Sequence, residues 1–147
     1  MVFLTRRATF SASHYYWNEA WSPEKNEQVF GRCANRNGHG HNYTLEVTVA
    51  GEPDPVTGFV VDLKWLKSVM ESEVVGVFDH SHLNLEVPEF AAGKLIPTTE
   101  NIAVAAWRRL EPAIANAAGP SGATGPELAR VRVYETPEIF AEYRGGQ

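Results

Sequence analysis

The stretch His41-Asn-Tyr-Thr-Leu-Glu-Val-Thr-Val-Ala50 decides how this chain folds. Its residues alternate between an apolar series and a largely polar series, which predicts a strand with one buried face. The apolar series is Tyr43, Leu45, Val47 and Val49, and the other series is Thr44, Glu46, Thr48 and Ala50. Such a strand belongs to a sheet with one face buried. The rest of the chain must therefore supply neighbouring strands and the helices or loops that pack on that face.

Three other segments have the character of strands. Residues 1–14 carry apolar side chains mostly at every second position, which predicts a strand. Two further strands are expected near Ala129 to Glu135 and Ile139 to Arg144. Thr136-Pro137 supplies the turn between these last two. The central strand therefore has one candidate partner before it and two after it.

Two helices are predicted between the second and third strands. Asp62 is a suitable N-cap for the first, and Thr98 or Thr99 for the second. Their apolar positions recur at helical spacing: Leu63, Leu66, Met70 and Val74 in the first helix, and Ile102, Ala106, Leu110 and Ile114 in the second.

The resulting order, ββααββ, predicts a single α+β domain over residues 1–147. It would be a four-stranded antiparallel sheet with two helices on one face. Residues 15–40 show no periodicity and are expected to form a long irregular loop, which in a compact domain is usually functional or disordered. A sheet of this kind keeps two open edges that must be covered or paired, so self-association is expected.

Composition narrows the range of functions. The chain has 147 residues and a formal net charge of -5, which argues against a protein that coats nucleic acid or an anionic membrane. Its one cysteine, Cys33, excludes an intramolecular disulfide and favours a cytoplasmic location. The first residues resemble neither a signal peptide nor an anchor, and the longest apolar runs, such as Ile102 to Trp107, are too short to span a bilayer.

Three histidines form a candidate zinc site. His39 and His41 lie two apart, so an extended backbone directs both imidazoles to one face. If the first two strands pair antiparallel, His14 at the end of the first lies beside the start of the second. Three histidines with one open position are typical of a catalytic zinc. Any one of them alone is more often a structural or surface residue.

Cys33 lies in a polar, turn-forming segment between Arg32 and Arg36. Positive charge favours the thiolate, so we expect a lowered pKa for Cys33 and a role as base or nucleophile. The common alternative, a small buried apolar cysteine, fits these neighbours poorly.

Four further positions have weaker signals. Asp79 and His80 could act as an acid–base couple if they lie on a turn, although a solvated turn is the commoner explanation. Glu135, at a strand end, could accept hydrogen bonds from a guanidine-like heterocycle, or be a surface charge. Thr98 and Thr99 are explained by helix capping alone.

Together these segments resemble the 6-pyruvoyltetrahydropterin synthase family, in the family's order and over nearly the whole chain. The segments are Phe10-Ser-Ala-Ser-His14, Cys33 with His39-Gly-His-Asn-Tyr43, Gly58 to Asp62, Phe78-Asp-His80, Pro97-Thr-Thr-Glu-Asn101 and Val133-Tyr-Glu-Thr136. The resemblance implies a tunnelling fold in which three copies close a barrel and two trimers form a homohexamer. It also implies a zinc-dependent lyase of tetrahydrobiopterin biosynthesis that acts on 7,8-dihydroneopterin triphosphate and releases triphosphate.

The same resemblance implies a role for each matching residue. His14, His39 and His41 would bind zinc, and Cys33 would be the general base. Asp79 and His80 would complete a proton relay with Cys33, across a subunit boundary. Glu135 would anchor the pterin ring with help from Thr98 and Thr99.

Two related functions remain open. A sister group, 6-carboxytetrahydropterin synthase, shares fold, zinc and substrate but also releases acetaldehyde. In that group three residues typically separate the cysteine from His-x-His. Five residues, Ala34 to Gly38, separate them here, which favours the pyruvoyl type. The other alternative is a tunnelling-fold protein that binds a pterin without catalysis. A thiol-dependent hydrolase would leave the three histidines without a role.

Overall fold

The chain is built on a five-stranded sheet, which a computed structural model describes over residues 1–146. The strands lie in the spatial order β3-β1-β2-β4-β5. Their bounds are Val2–His14 for β1, His39–Gly51 for β2, Ser81–His82 for β3, Glu127–Thr136 for β4 and Ile139–Tyr143 for β5. The four predicted strands are all present, and β2 lies at the centre of the sheet, as the alternating pattern indicated.

The pairing of β1 with β2 is antiparallel, as predicted. The register places His14 opposite His39, and Phe10 opposite Tyr43. Because side chains on neighbouring strands share a face when they are directly opposite, this register gathers the ends of the two strands into one group of imidazoles. The same register continues to the other end, where Val2 lies opposite Gly51.

The prediction of a four-stranded, wholly antiparallel sheet is wrong. A fifth strand, β3, pairs parallel with β1 through Ala12 with Ser81 and Ser13 with His82. Two residues are too few to show a periodicity of their own. The strand forms because the preceding helix ends beside β1 and delivers the chain to its free edge.

The two predicted helices are present with the predicted caps. α2 covers Leu63–Met70, continues through a π-helical turn at Glu71–Val75 and ends in α3 at Gly76–Phe78. The Asp62 carboxylate accepts hydrogen bonds from the first backbone N–H groups of α2. The later helix, α5, covers Thr99–Ala115.

Short helical segments replace part of the expected loops. α1 covers Pro23–Phe30, α4 covers Leu83–Glu86, and 3₁₀ turns lie at Gly31–Ala34, Ala91–Gly93 and Pro120–Gly122. The prediction that residues 15–40 form a wholly irregular loop is therefore wrong. The one buried residue of α1 is polar, Asn26, so the helix has no apolar periodicity to reveal it. The Asn26 side chain instead hydrogen-bonds backbone groups of Asn18 and Ser22.

The core lies between the sheet and the helices. Phe10 and Tyr43 stack across β1 and β2 with ring centroids 4.9 Å apart, and Phe78 packs edge-on against Phe10. The predicted stripe of α5 is fully buried and consists of Ile102, Ala106, Leu110 and Ile114. No helix among residues 1–146 combines the length and apolar character needed to cross a membrane.

The helix-free face of the sheet is charged. Glu46 on β2 lies between two arginines, with Arg7 at 3.4 Å and Arg132 at 3.7 Å. These side chains cover β2, so Glu46 and Thr48 are buried as well as the apolar series. The prediction of a strand with only one buried face is thus wrong for the middle of β2, because long side chains on the neighbouring strands cover its polar residues.

Candidate metal and substrate site

His14, His39 and His41 meet on the helix-covered face, at one end of β1 and β2. Each offers a ring nitrogen, and Glu135 a carboxylate oxygen, such that all these atoms lie within 4.8 Å of one another. Glu135 arrives from β4, whose pairing of Tyr134 with Thr44 places the next residue beside Tyr43 on the same face. Strand register alone therefore assembles a group of four metal-ligating side chains, the histidine cluster with Glu135.

His14 is the most constrained member of the cluster. It is fully buried, and its Nδ1 lies 2.8 Å from the carbonyl oxygen of Pro97. A carbonyl only accepts, so we assign the proton to Nδ1, which leaves Nε2 as a lone pair 3.1 Å from Nε2 of His39. Burial lowers the pKa of His14 to about 4, so the ring is neutral at physiological pH. A ring N–H fixed by a carbonyl is the usual second contact of a metal-bound histidine.

His41 has a nitrogen that lacks a partner. Its Nε2 lies 3.0 Å from a carboxylate oxygen of Glu135. The two atoms are not aligned for a hydrogen bond, and within residues 1–146 this buried nitrogen has no hydrogen-bond partner. Burial lowers the pKa of His41 and disfavours the charged ring. A metal ion would satisfy this nitrogen and the facing lone pairs of His14 and His39 together, so the residues present fit a metal.

Glu135 connects the cluster to α5. Its second carboxylate oxygen accepts a hydrogen bond from the Thr99 hydroxyl, while Thr98 caps the helix by accepting from the backbone N–H of Asn101 at 3.2 Å. Thr98 and Thr99, paired in the sequence analysis, therefore contact different groups. Only Thr99 touches Glu135, so the Thr98 hydroxyl is accounted for by the helix cap.

Cys33 lies in the 3₁₀ turn Gly31–Ala34 and is half-buried. Burial raises the pKa of its thiol, and the negative charge of Glu135 raises it further. The expectation of a pKa lowered by flanking arginines is wrong for the metal-free chain. Arg36 instead pairs with Glu19 at 3.1 Å and lies over the ring of Trp17, where its charge is engaged. A metal cation in the cluster would oppose the charge of Glu135 and favour the thiolate.

Asp79 and His80 form a couple at the edge of the sheet. Their side chains meet at 2.8 Å, and the Ser11 backbone N–H donates to the other oxygen of Asp79 at 2.8 Å. The hydrogen bond from Ser11, and that from His80, hold the pKa of Asp79 below its usual range. His80 has a positive φ of 55°, so the couple does lie on a turn, which allows adjacent side chains to meet.

No hydrogen bond within residues 1–146 joins this couple to the histidine cluster, although His80 and His41 line the same groove. The His80 side chain is 86% exposed. It lines an open groove of about 450 Å³ together with Ser11 and Asn42, whose side chains hydrogen-bond to each other on the helix-free face. Within residues 1–146, no hydrogen bond joins Asp79 or His80 to Cys33. The structure thus brings together the three histidines and Glu135 but leaves the second predicted acid–base group apart.

Sequence reasoning missed three groups around the cluster. The Pro97 carbonyl is a backbone group, which no side-chain pattern reveals. Tyr43 was counted only as a core residue, yet its hydroxyl lies 3.2 Å from Nδ1 of His14. Tyr16, in the expected loop, packs its ring against His14 with centroids 5.0 Å apart. Its position two residues after His14 was the available signal.

Known proteins resemble this chain over nearly its full length. The family model described as 6-pyruvoyl tetrahydropterin synthase matches residues 3–146. The 6-pyruvoyl tetrahydrobiopterin synthase of Homo sapiens is 43% identical over 142 residues, which covers 97% of this chain and 90% of that protein. The solved structure of Caenorhabditis elegans 6-pyruvoyl tetrahydropterin synthase is 37% identical and superposes with a TM-score of 0.86, covering 99% of this chain and 96% of that one.

A match to the sister group is more distant. The putative 6-carboxy-5,6,7,8-tetrahydropterin synthase of Archaeoglobus fulgidus is 34% identical over 106 residues, which covers 72% of this chain and 75% of that protein. The identity with the Homo sapiens protein is higher and extends over more of the sequence.

Proposed function

This chain belongs to the 6-pyruvoyl tetrahydropterin synthase family, and we propose that it is a zinc-dependent lyase acting on 7,8-dihydroneopterin triphosphate. The products would be 6-pyruvoyltetrahydropterin and triphosphate, a step of tetrahydrobiopterin biosynthesis. The observation that carries the proposal is the group of His14, His39, His41 and Glu135, with ligand atoms within 4.8 Å of one another.

The donor set favours zinc. His14, His39 and His41 offer imidazole nitrogens, and three such ligands leave a fourth position for substrate oxygen. When bound there, zinc would polarise that oxygen and acidify the neighbouring C–H group. The chain's own contribution is to hold His14 in the correct tautomer through Pro97 and to keep the three lone pairs converging.

Cys33 is the proposed general base. Its turn is held at the cluster because its carbonyl oxygen accepts the Tyr16 backbone N–H at 2.7 Å. Its thiolate, which a metal cation in the cluster would favour, would take a carbon-bound proton from the substrate side chain as triphosphate leaves. No redox cofactor is required, because the oxidised side chain and the reduced ring belong to one molecule.

Glu135 is the proposed anchor of the pterin ring. Its carboxylate lies on the cluster side of β4 and is 15% exposed, so it can present oxygens to the N–H groups of a heterocycle in a partly dry site. Thr99 supports that carboxylate by donating to it. Thr98 supports the same region indirectly, through the start of α5.

Asp79 and His80 are proposed to complete the proton relay from another copy of the chain. They lie at the free edge of β1, and no hydrogen bond within residues 1–146 joins them to Cys33. A homohexamer made of two barrel-closing trimers would provide that second copy. The outer strand β5 supports association, because Ile139 and Phe140 on it are about half exposed, at 55% and 47%.

The proposal includes a single tunnelling-fold domain over residues 1–147 and a cytoplasmic location, which the single unpaired cysteine favours. Neither nucleic acid nor membrane has a part in it. The second candidate function is that of 6-carboxytetrahydropterin synthase, which the Archaeoglobus fulgidus match keeps open. The five residues between Cys33 and His39 favour the pyruvoyl reaction.

One experiment separates these functions. The purified protein is assayed for bound metal and then incubated with dihydroneopterin triphosphate while triphosphate and acetaldehyde are measured. Triphosphate without acetaldehyde supports the pyruvoyl reaction, and both together support the carboxy reaction. If zinc-loaded protein releases neither, the chain is a non-catalytic binder and the proposal is wrong.

The role of Cys33 is tested in the same assay. Cys33→Ala should keep the metal but lose activity by about 10²- to 10⁴-fold, the usual contribution of a general base. Asn37→Ala, an exposed change in the same loop, is the matched control and should behave as wild type. Normal turnover by Cys33→Ala would show that another group takes the proton.

A further inference from the structure

Asn101 is the last residue of the segment Pro97-Thr-Thr-Glu-Asn101, and it has no role in the proposed function. It is the third residue of α5 and is half-buried. Its backbone N–H donates to the hydroxyl of Thr98, which belongs to the helix cap. Its side-chain amide makes a further bond that capping does not require, donating to the carbonyl oxygen of Ile96 at 2.8 Å. This amide therefore ties the start of α5 to the chain just before it.

The Ile96 carbonyl fixes the direction of the next carbonyl along the chain. It also accepts the backbone N–H of Thr98 at 2.8 Å, which forms a three-residue turn centred on Pro97. The Thr98 N–H and the Pro97 carbonyl belong to one planar peptide group, so this hydrogen bond orients them both. The ring of Pro97 already fixes φ, which leaves rotation about ψ as the one freedom of its carbonyl. By holding the Ile96 oxygen, Asn101 restricts that rotation.

The Pro97 carbonyl is the group that fixes the tautomer of His14. Its oxygen lies 2.8 Å from Nδ1 of His14, and both residues are buried. Residues 92–95, which precede the turn, are exposed and lie outside the sheet, so strand pairing does not hold the carbonyl from that side. From the other side α5 holds it through Asn101. If the carbonyl turned away, the proton could move to Nε2 of His14, which would remove the lone pair that faces His39.

We propose that Asn101 is a positioning residue for the metal, whose amide holds the Pro97 carbonyl in place and so keeps Nε2 of His14 free to bind zinc. This inference rests on the proposed function in one respect, that the histidine cluster binds zinc. Loss of the outer contact of a metal-bound histidine lowers metal affinity about 10- to 100-fold. Asn101 acts one contact further out, so we expect the lower end of that range.

The variant Asn101→Ala removes the amide and keeps the backbone N–H that caps the helix. Alanine has a higher helix propensity than asparagine, so α5 itself is not weakened. We expect the zinc affinity, measured by competition with a chromogenic chelator, to fall about tenfold. Asn101→Leu, which keeps the approximate size of the side chain but has no donor, should give the same loss.

Asn116→Ala is the matched control. The amide of Asn116 also donates to a backbone carbonyl, that of Pro112 at 2.7 Å, but at the far end of the same helix. This variant loses the same kind of hydrogen bond away from the cluster, so its zinc affinity should equal that of wild type.

A comparison of two double variants shows whether Asn101 acts through His14. Zinc is titrated into each protein at a concentration high enough to measure weak binding. In the His39→Ala background His14 remains, so adding Asn101→Ala should again lower zinc affinity about tenfold. In the His14→Ala background the ring that Asn101 positions is already gone, so the further loss should be less than about twofold. A general loosening of the fold would lower both affinities by the same factor.

These measurements separate the two proposals. A wild type that binds zinc but releases no triphosphate contradicts the proposed function, and the zinc affinities then still decide the role of Asn101. Wild-type zinc affinity in Asn101→Ala or Asn101→Leu, or equal losses in the two double variants, would overturn the positioning role and leave the proposed function standing. A wild type that binds no zinc contradicts both.

Discussion

The histidine cluster and the Asp79–His80 couple are two acid–base regions that the chain builds in different ways. The cluster is formed by strands paired over their whole length, and its central residue, His14, is fully buried. The couple stands on a turn at the edge of β1, and its histidine side chain is 86% exposed. The side chains of the cluster converge within a single chain, whereas the imidazole of His80 is exposed to solvent.

The difference has a functional consequence. A metal site needs ligands that are already held in place, and backbone pairing supplies that rigidity in one chain. Backbone hydrogen bonds to Ser11 hold the Asp79–His80 couple on β1, but within residues 1–146 no further acid–base side chain hydrogen-bonds to it. It can be completed by a neighbouring copy, which fits the proposal that Cys33 and His80 of different copies act on one substrate.

The largest effect should come from breaking the cluster. His39→Ala removes one of three imidazole ligands, so the purified variant should contain little metal. Triphosphate release should fall by about a thousandfold or more, since a Lewis acid contributes several kcal/mol. His82→Ala is the matched control, because His82 lies on β3 outside the cluster. Full metal content in His39→Ala, measured by elemental analysis, would show that the cluster is not the metal site.

A smaller but more specific effect should come from mixing two variants in one assembly, one that lacks Cys33 and one that lacks His80. Cys33→Ala and His80→Ala should each be nearly inactive when purified alone. When both are produced together with different tags and isolated as mixed assemblies, some sites receive an intact residue from each copy. Activity should then rise at least about tenfold above either variant alone.

The alternative gives the opposite result. If Cys33 and His80 of the same chain act together, every site in the mixed assembly carries one defect, and activity stays at the level of the separate variants. Verified mixed assemblies without recovery would therefore contradict the shared site.

The smallest effect concerns stability, and it comes from the burial of His14. Burial lowers the pKa of His14 from 6.5 to about 4 in the folded, metal-free chain. Between these values the unfolded chain binds a proton at His14 and the folded chain does not. The free energy of unfolding should therefore fall as the pH falls from 6.5 to 4, by up to about 3 kcal/mol.

Urea unfolding of metal-free protein at several pH values measures this slope. His14→Gln should flatten it, whereas Asn37→Ala, an exposed change that removes no titratable group, should leave it as in wild type. Identical slopes for His14→Gln and wild type would show that His14 is not held neutral by the fold.

Much of the fold could be predicted from the sequence because its main strands and helices are long segments with a regular apolar period. Alternation predicted β2, helical spacing predicted the buried stripe of α5, and Asp62 predicted a helix start. The errors fell on short or polar elements. β3 has two residues and α1 buries only an asparagine, so neither leaves a hydrophobic pattern.

The sequence by itself determined the histidine cluster in outline, because period-two geometry sends His39 and His41 to one face and antiparallel pairing delivers His14 to them. Tertiary structure alone decided the rest. Glu135 joins through the register of β4, Pro97 fixes His14 through a backbone carbonyl, and burial with Glu135 reverses the expected pKa shift of Cys33. The physical reason is that a repeating backbone pattern is local, whereas burial, charge and contacts between distant segments depend on how the whole chain packs.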